Sequence, residues 1–329
     1  MNGHTSVHIK LVLATMFWAL TPICGRLLAN YSAPYALACG RFVVATAVLA
    51  VFMYARGETL RLQRRHLLQF ALLGLTGVCL HNVLVFMGTE HTEANRANVI
   101  FATITIMIAA IDRVVLGKPQ PVGVLFGVLC GILGTAVVVS DGAPAQLLKG
   151  GIGLGEGLIL ASAASWALYS VLGRPLLEVY SPLTTTFYAS LFGTVMLLPF
   201  VAIDASVVPT LLRSPRALGM LAFLGVFNSA LGFLWYYMAV QRIGAVATSA
   251  YINLVPIFGV ALSAVILGEV PSRGLLAGGL LVVAALVLIN RYQRVEVEMP
   301  SPSPRPSPAR LSRSHRSEFD PAGRGEPRR

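Results

Sequence analysis

The stretch AVQRIGAVATSAYINLVPIFGVALSAVILGE, residues 239–269, decides the fold when it is laid on GTEHTEANRANVIFATITIMIAAIDRVVLGK, residues 88–118. Each is an apolar run closed by Leu-Gly and an ionisable residue, Glu269 in one and Lys118 in the other. The register is a shift of 151 residues, and it extends well upstream. Gly74 falls on Gly225, Met87 on Met238, Leu116 on Leu267 and Gly117 on Gly268, without a gap. Beyond the runs, Gly123 meets Gly274 and Gly127 meets Gly278. Nearer the N-terminus a shift of 148 lays WALTPICGR (18–26) on WALYSVLGR (166–174), and Pro34 on Pro182. The chain is two copies of one unit.

What kind of unit follows from composition. The 329 residues are 56% hydrophobic and 12% charged, against about 25% charged in soluble domains. The apolar residues are gathered into ten blocks, at 9–28, 35–54, 67–88, 97–116, 121–139, 154–172, 183–203, 217–239, 247–267 and 273–290. Blocks of roughly 20 residues are long enough to cross a bilayer as helices, and a helix satisfies every backbone polar group within itself. The expected fold is an all-α polytopic membrane protein with ten transmembrane helices. HIKLVLATMFWALTPIC resembles a signal peptide, but no small-residue cleavage site follows it and nine more apolar blocks do, so it reads as a retained first helix.

Five helices per copy is an odd number. The second copy therefore enters the membrane from the opposite side, and the repeats are inverted. Inverted repeats underlie many alternating-access carriers, with the substrate near the midplane between the halves. The expected organisation is a first repeat over 1–139 (helices 1–5), a connecting loop over 140–152, a second repeat over 153–290 (helices 6–10), and a disordered, basic, Pro/Ser/Arg-rich cytoplasmic tail over 291–329.

The formal charge of +11 does not indicate nucleic acid. Much of it lies in that tail, and most of the remainder flanks apolar blocks. When both termini are cytoplasmic, Lys10, Arg56, Arg61, Arg64, Arg65, Arg113, Lys118, Arg174, Arg242, Arg291 and Arg294 fall inside and Arg26, Arg96, Lys149, Arg213, Arg216 and Arg273 outside, a strong bias in the first half and a weak one in the second. That is the positive-inside bias. The expected location is a cell (plasma or inner) membrane, with the lipid bilayer and a small solute as partners. Cys24, Cys39, Cys79 and Cys130 lie within apolar blocks at no metal or redox spacing and read as small packing residues. No metal or cofactor is expected.

The two aligned stretches, with Trp-Ala at 18–19 and 166–167 and Arg41 in helix 2, are similar to the EamA module of the drug/metabolite transporter (DMT) superfamily. The resemblance covers about 9–290. It implies ten helices in inverted five-helix halves and transport of small organic solutes, often outward, with some relatives carrying amino acids or their derivatives. Two positions depart from the pattern. Thr105 stands where the second copy has Pro256, and Lys118 stands where it has Glu269.

Polar and small residues recur on particular helix faces. Helix 4 offers Asn98, Ala102, Thr105, Ala109 and Asp112; helix 9 answers with Ser249, Asn253, Pro256, Val260 and Ser263. Helix 3 offers Gly74, Gly77, His81, Leu84 and Gly88, and helix 8 Gly225, Asn228, Gly232, Trp235 and Ala239. Small residues let membrane helices approach closely, whereas polar groups at depth tend to face water or a cavity. The expected cavity residues are Trp18, Arg41, His81, Asn98, Thr105, Trp166, Asn228, Trp235, Tyr236 and Asn253.

Arg41 lies about 10 Å into helix 2 at 1.5 Å per residue. It binds a substrate carboxylate or forms a structural pair with Glu90 or Glu93. His81 is the candidate for proton coupling, because imidazole titrates in the physiological range, or else a hydrogen-bonding residue. Pro256 lacks an N–H and frees the carbonyl of Ile252, as a gating bend or a tolerated kink. Asp112 and Arg113 near the inner end of helix 4 form a boundary charge pair, or Asp112 belongs to an inner gate; Glu90 joins the same group of coupling or gating candidates.

A secondary transporter, more often an exporter by the resemblance, is the reading these features favour; no Walker motif is present. A membrane enzyme would need a reactive cluster, and the dense polar stretch EHTEANR (90–96) lacks zinc spacing. A non-transporting receptor or scaffold would use the tail for docking.

Overall fold

The computed structural model describes residues 3–28, 33–58, 62–89, 91, 100–101, 103–116, 121–140, 142–143, 153–267 and 273–298. Residues 1–293 form one helical unit; of the second, 294–329, the described part is 294–298, the end of the last helix. Among the described residues there is no strand.

Among the described residues ten main helical segments follow one another, with a short helix, Val208–Arg213, leading into the eighth. They are α1 (Gly3–Leu27), α2 (Pro34–Ala55), α3 (the consecutive pieces Leu67–Leu73, Gly74–Leu80 and His81–Thr89), α4 (Ile104–Leu116) and α5 (Val122–Val139). Then come α6 (Leu154–Leu177), α7 (Pro182–Val201), α8 (Pro215–Phe223, Leu224–Leu231 and Gly232–Ile243), α9 (Ala245–Ala250, Tyr251–Asn253 and Leu254–Leu267) and α10 (Arg273–Glu298). Five segments, 34–55, 64–88, 154–177, 182–204 and 215–243, are each long and apolar enough to cross a bilayer, and shorter apolar helices accompany them.

Local chemistry sets the boundaries. Pro34, Pro182 and Pro215 start α2, α7 and α8, where a missing N–H costs nothing. Ser181 and Ser214 cap the latter two by accepting from Thr184 N (3.0 Å) and Ala217 N (3.3 Å). Gly244, at φ +82°, turns α8 directly into α9.

Two boundaries differ from expectation. The first helix begins at Gly3 rather than near residue 9. The tail was expected from 291, but α10 continues to Glu298. RYQRVEVE holds no Gly or Pro, and Pro300 is the first residue to disfavour helix at its predecessor.

The repeats cross over one another. Gly74 brings α3 against α7, where a Cβ would stand 2.5 Å from the Gly193 backbone nitrogen. Its repeat mate Gly225 brings α8 against α2, where a Cβ would stand 2.5 Å from Val44 Cβ. Gly74 opens one stretch of π-helix, Gly74–Leu80, and Gly225 is the second residue of the other, Leu224–Leu231, at equivalent positions of the two copies. Large apolar side chains such as Val51, Leu68, Phe126, Leu133, Val195 and Leu280 are exposed on the outside of the unit, the surface a bilayer covers.

Seven helices close a ring: α2 packs on α8, α8 on α1, α1 on α9, α9 on α4, α4 on α6, α6 on α3, and α3 on α2. In this ring α9 lies across from α2 and α3. Outside it, α7 braces α2 and α3, and α5 reaches the ring beside α9.

Candidate functional site

The ring encloses a cavity of about 230 Å³. Its wall draws on both repeats, including Trp18 of α1, Arg41 of α2, His81 and Asn82 of α3, Trp166 of α6, and Asn228 of α8. Phe86, Phe101, Phe233 and Ile252 supply apolar surface, and Thr21, Thr135 and Asn253 further polar groups.

Trp18 and Trp166 are repeat mates, and they meet edge-to-face with ring centroids 5.5 Å apart. This is a favoured aromatic geometry. Trp18 Nε1 donates to the Asn228 carbonyl at 3.0 Å, so α1 is tied to the π-helical stretch of α8. Trp166 lies 4.9 Å from the His81 ring and 5.1 Å from Phe233. The rings form a continuous wall.

The polar groups are not repeat mates. Arg41 corresponds to Ala189, Asn82 to Phe233, His81 to Gly232 and Asn228 to Gly77. Each of these polar residues thus has a small or apolar counterpart in the other copy, and the cavity is chemically asymmetric. Arg41 donates to Asn82 Oδ1 and, at 3.4 Å, to Asn228 Oδ1. Both amides are aimed by their own donors: Asn82 Nδ2 to the Val78 carbonyl (2.6 Å), Asn228 Nδ2 to the Phe17 carbonyl (3.2 Å) and Thr21 Oγ1 (2.5 Å). A guanidinium has five N–H donors. Here Nε has no partner, and among the described residues no carboxylate pairs with Arg41. Glu90 and Glu93, expected as its counter-ions, lie outside the described residues.

Across the cavity Asn253 packs on α5 at Gly131, one turn from Thr135. Asn253 Oδ1 and Thr135 Oγ1 are buried without a hydrogen-bond partner among the described residues. His81 Nδ1 meets Ser162 Oγ at 2.8 Å, and that hydroxyl is also 3.0 Å from the His81 carbonyl.

Several expected residues lie elsewhere. Tyr236 is fully buried behind the tryptophans, 5.8 Å from Trp18, with its hydroxyl 2.7 Å from Ser170 Oγ. Trp235 stacks toward Phe17 at 6.1 Å and does not line the cavity. Seven residues separate it from Asn228, but the wider π turns between them rotate the face. Thr105 is buried beside cavity-lining Ile104 without facing the cavity, and its hydroxyl has no partner among the described residues. Asn98 lies outside the described residues. Pro256 is the third residue of the α-helical piece Leu254–Leu267, after the 3-10 turn Tyr251–Asn253. It sits at a junction within α9, where its missing N–H is tolerated, rather than in mid-helix.

Asp112 and Arg113 are not a pair with each other. Arg113 is exposed, whereas Asp112 is buried and bonds Arg174 of α6 at 2.6 Å. Adjacent helical residues point about 100° apart, which separates the two. Asn82, Thr21, Thr135, Phe86, Phe101, Phe233 and Ile252 were not foreseen as lining. For Thr135 a signal existed: it is the only hydroxyl in the block 121–139.

A two-repeat helical bundle around one central, chemically asymmetric cavity is the architecture of a solute transporter. The model of the EamA-like transporter family matches residues 5–140 and 153–291, and the chain belongs to that family. It is 28% identical over 256 residues to the uncharacterized transporter YyaM of Bacillus subtilis, covering 77% of this chain and 84% of that protein. It is 31% identical over 281 residues to a probable terminal-alkyne amino-acid exporter of Streptantibioticus cattleyicolor, covering 85% and 92%. A solved crystal structure with 18% identity superposes with a TM-score of 0.69, over 88% of this chain and 99% of that one.

Proposed function

We propose that this chain is a secondary transporter, not an enzyme, that exports small organic metabolites such as amino acids or their derivatives by alternating access. The observation that carries the reading is the cavity formed where the two repeats cross, with buried polar groups left unpartnered at its wall. Its volume is below the 300–1,000 Å³ usual for drug-sized ligands, which favours a small metabolite. The amino-acid exporter among the relatives supports the direction and the substrate class.

Two polar contacts supply a gate at the end of the bundle where α1 begins. Asp112 of α4 pairs with Arg174 of α6, and His8 of α1 meets Tyr251 of α9 at 2.6 Å. The α4/α6 and α1/α9 seams are repeat mates, and each joins one half to the other. Opening this end requires both seams to part. His81, at the cavity wall, is the proton-coupling candidate, and Glu90 and Pro256 remain gating candidates. In this reading repeat 1–139 and repeat 153–290 rock about the cavity in a cell membrane, with both termini and the basic tail in the cytoplasm.

The test is metabolite profiling of medium and cytoplasm from cells expressing the chain or its Asn253→Ala variant. A solute that accumulates outside only with the intact chain supports export. Pools equal to those of cells lacking the chain, with the protein present in the membrane, would refute it.

A further inference from the structure

We infer that the cavity takes a small organic monocarboxylate: its charged end on Arg41, its apolar body against Trp18, Trp166 and Phe233, and a hydrogen-bonding group at its far end met by Asn253 and Thr135. The inference deepens the transporter reading by naming the substrate class.

The charged end follows from how Arg41 is held. Its described hydrogen-bond partners are two neutral amide oxygens, on Asn82 and Asn228, and its guanidinium carbon lies 5.1 Å from the Phe42 ring centroid. They fix the plane of the guanidinium without neutralising it. Both amides are themselves anchored to α1 and α3, so the arrangement is built before any ligand arrives. A cation held this way at depth is costly, and an incoming anion relieves that cost. Guanidinium matches a carboxylate through paired, charge-assisted hydrogen bonds. One cation, with no other formal charge among the described lining residues, suits one negative charge rather than two.

The apolar body follows from the wall. Most of the remaining lining is apolar, and Trp18, Trp166 and Phe233, with ring centroids 5.1–6.1 Å apart, close into one surface. The far end follows from the orphans. Asn253 Oδ1 and Thr135 Oγ1 line the cavity, are at least 97% buried, and lack partners among the described residues. An unmet buried polar group is unfavourable, and a ligand hydroxyl or amide would satisfy both. Since α9 lies across the ring from α2 and α3, these groups stand opposite Arg41. The ligand is therefore polar at both ends and apolar between them.

The full chain in lipid nanodiscs can be tested with three probes: 3-(4-hydroxyphenyl)propanoate, its primary amide, and 3-phenylpropanoate. Affinity is read from the rise of Tm with concentration, because a ligand that binds the folded state stabilises it. The hydroxylated acid should bind tenfold to about a hundredfold more tightly than its amide, the range for a hydrogen bond to a charged group. Arg41→Gln should erase that difference, and Arg41→Lys should retain part of it. The hydroxyl should contribute about two- to tenfold in the native chain and nothing in Asn253→Ala. The acid–amide comparison uses the unaltered protein, so it stands even where a variant fails to fold. Equal binding of acid and amide, or no binding of any of the three probes at millimolar concentration, would overturn the carboxylate assignment. Neither result touches the export reading, which the metabolite profile judges separately.

Discussion

Replacing Asp112 by Asn removes one charge from the contact that ties α4 to α6 and leaves its shape nearly unchanged. Fully buried pairs lose 3–5 kcal/mol when one partner is removed, whereas exposed pairs contribute 0–1 kcal/mol. This pair lies between those limits: the Asp112 side chain is 3% exposed and the Arg174 side chain 21%. Arg174 can turn toward water once its partner is neutral, which lowers the cost. A loss of about 2 kcal/mol is expected, about thirtyfold in the equilibrium between closed and open gate. Hydrogen exchange in nanodiscs reads it directly. Amides in the last turns of α4 and α6 should exchange about thirtyfold faster in Asp112→Asn than in the native chain. Arg113→Gln, next in sequence but exposed, should leave them unchanged. The charge swap Asp112→Arg with Arg174→Asp should recover part of the protection. If Asp112→Asn changes exchange no more than Arg113→Gln does, the pair is not a gate.

Three other outcomes are expected. Gly74→Val should lower stability by about 1–3 kcal/mol, the cost of overpacking, because its Cβ would meet the backbone of Gly193 at 2.5 Å; thermal unfolding in detergent checks it, and an unchanged Tm would contradict the crossed packing. His81→Gln should keep solute counterflow in proteoliposomes but abolish transport driven by a pH gradient, while gradient-driven transport that survives would remove His81 as the coupling group. Trp18→Phe should cost about 1 kcal/mol through the lost hydrogen bond to the Asn228 carbonyl, read as a lower Tm; no change would show that the bond does not hold α1 to α8.

The fold was legible because the membrane imposes one strong rule, and this chain states it twice. Apolar blocks gave the helices, and the shift of 151 residues gave their inverted arrangement. The site was legible at Trp18, Arg41 and Trp166, where helical phase is undisturbed, and also at His81, Asn228 and Asn253, where it is not. Around the π-helical stretches it was legible only in part. Trp235 was misplaced and Asn82 passed over because face counting assumes 3.6 residues per turn, and Gly74–Leu80 and Leu224–Leu231 do not keep it. The partner of Asp112 was hidden for a different reason. Arg174 is 62 residues away in sequence, and only the crossing of α4 and α6 brings the two together.

The most direct test of alternating access is labelling from each side of the membrane. A single cysteine is placed in the cavity wall as Val255→Cys, with Cys24, Cys39, Cys79 and Cys130 replaced by Ala. A membrane-impermeant thiol reagent is then applied to oriented vesicles from one face or the other. The account predicts labelling from both faces, with Asp112→Asn raising the rate from the face that bears the ion pair. Labelling from one face alone, in the native background and in the variant, would contradict it.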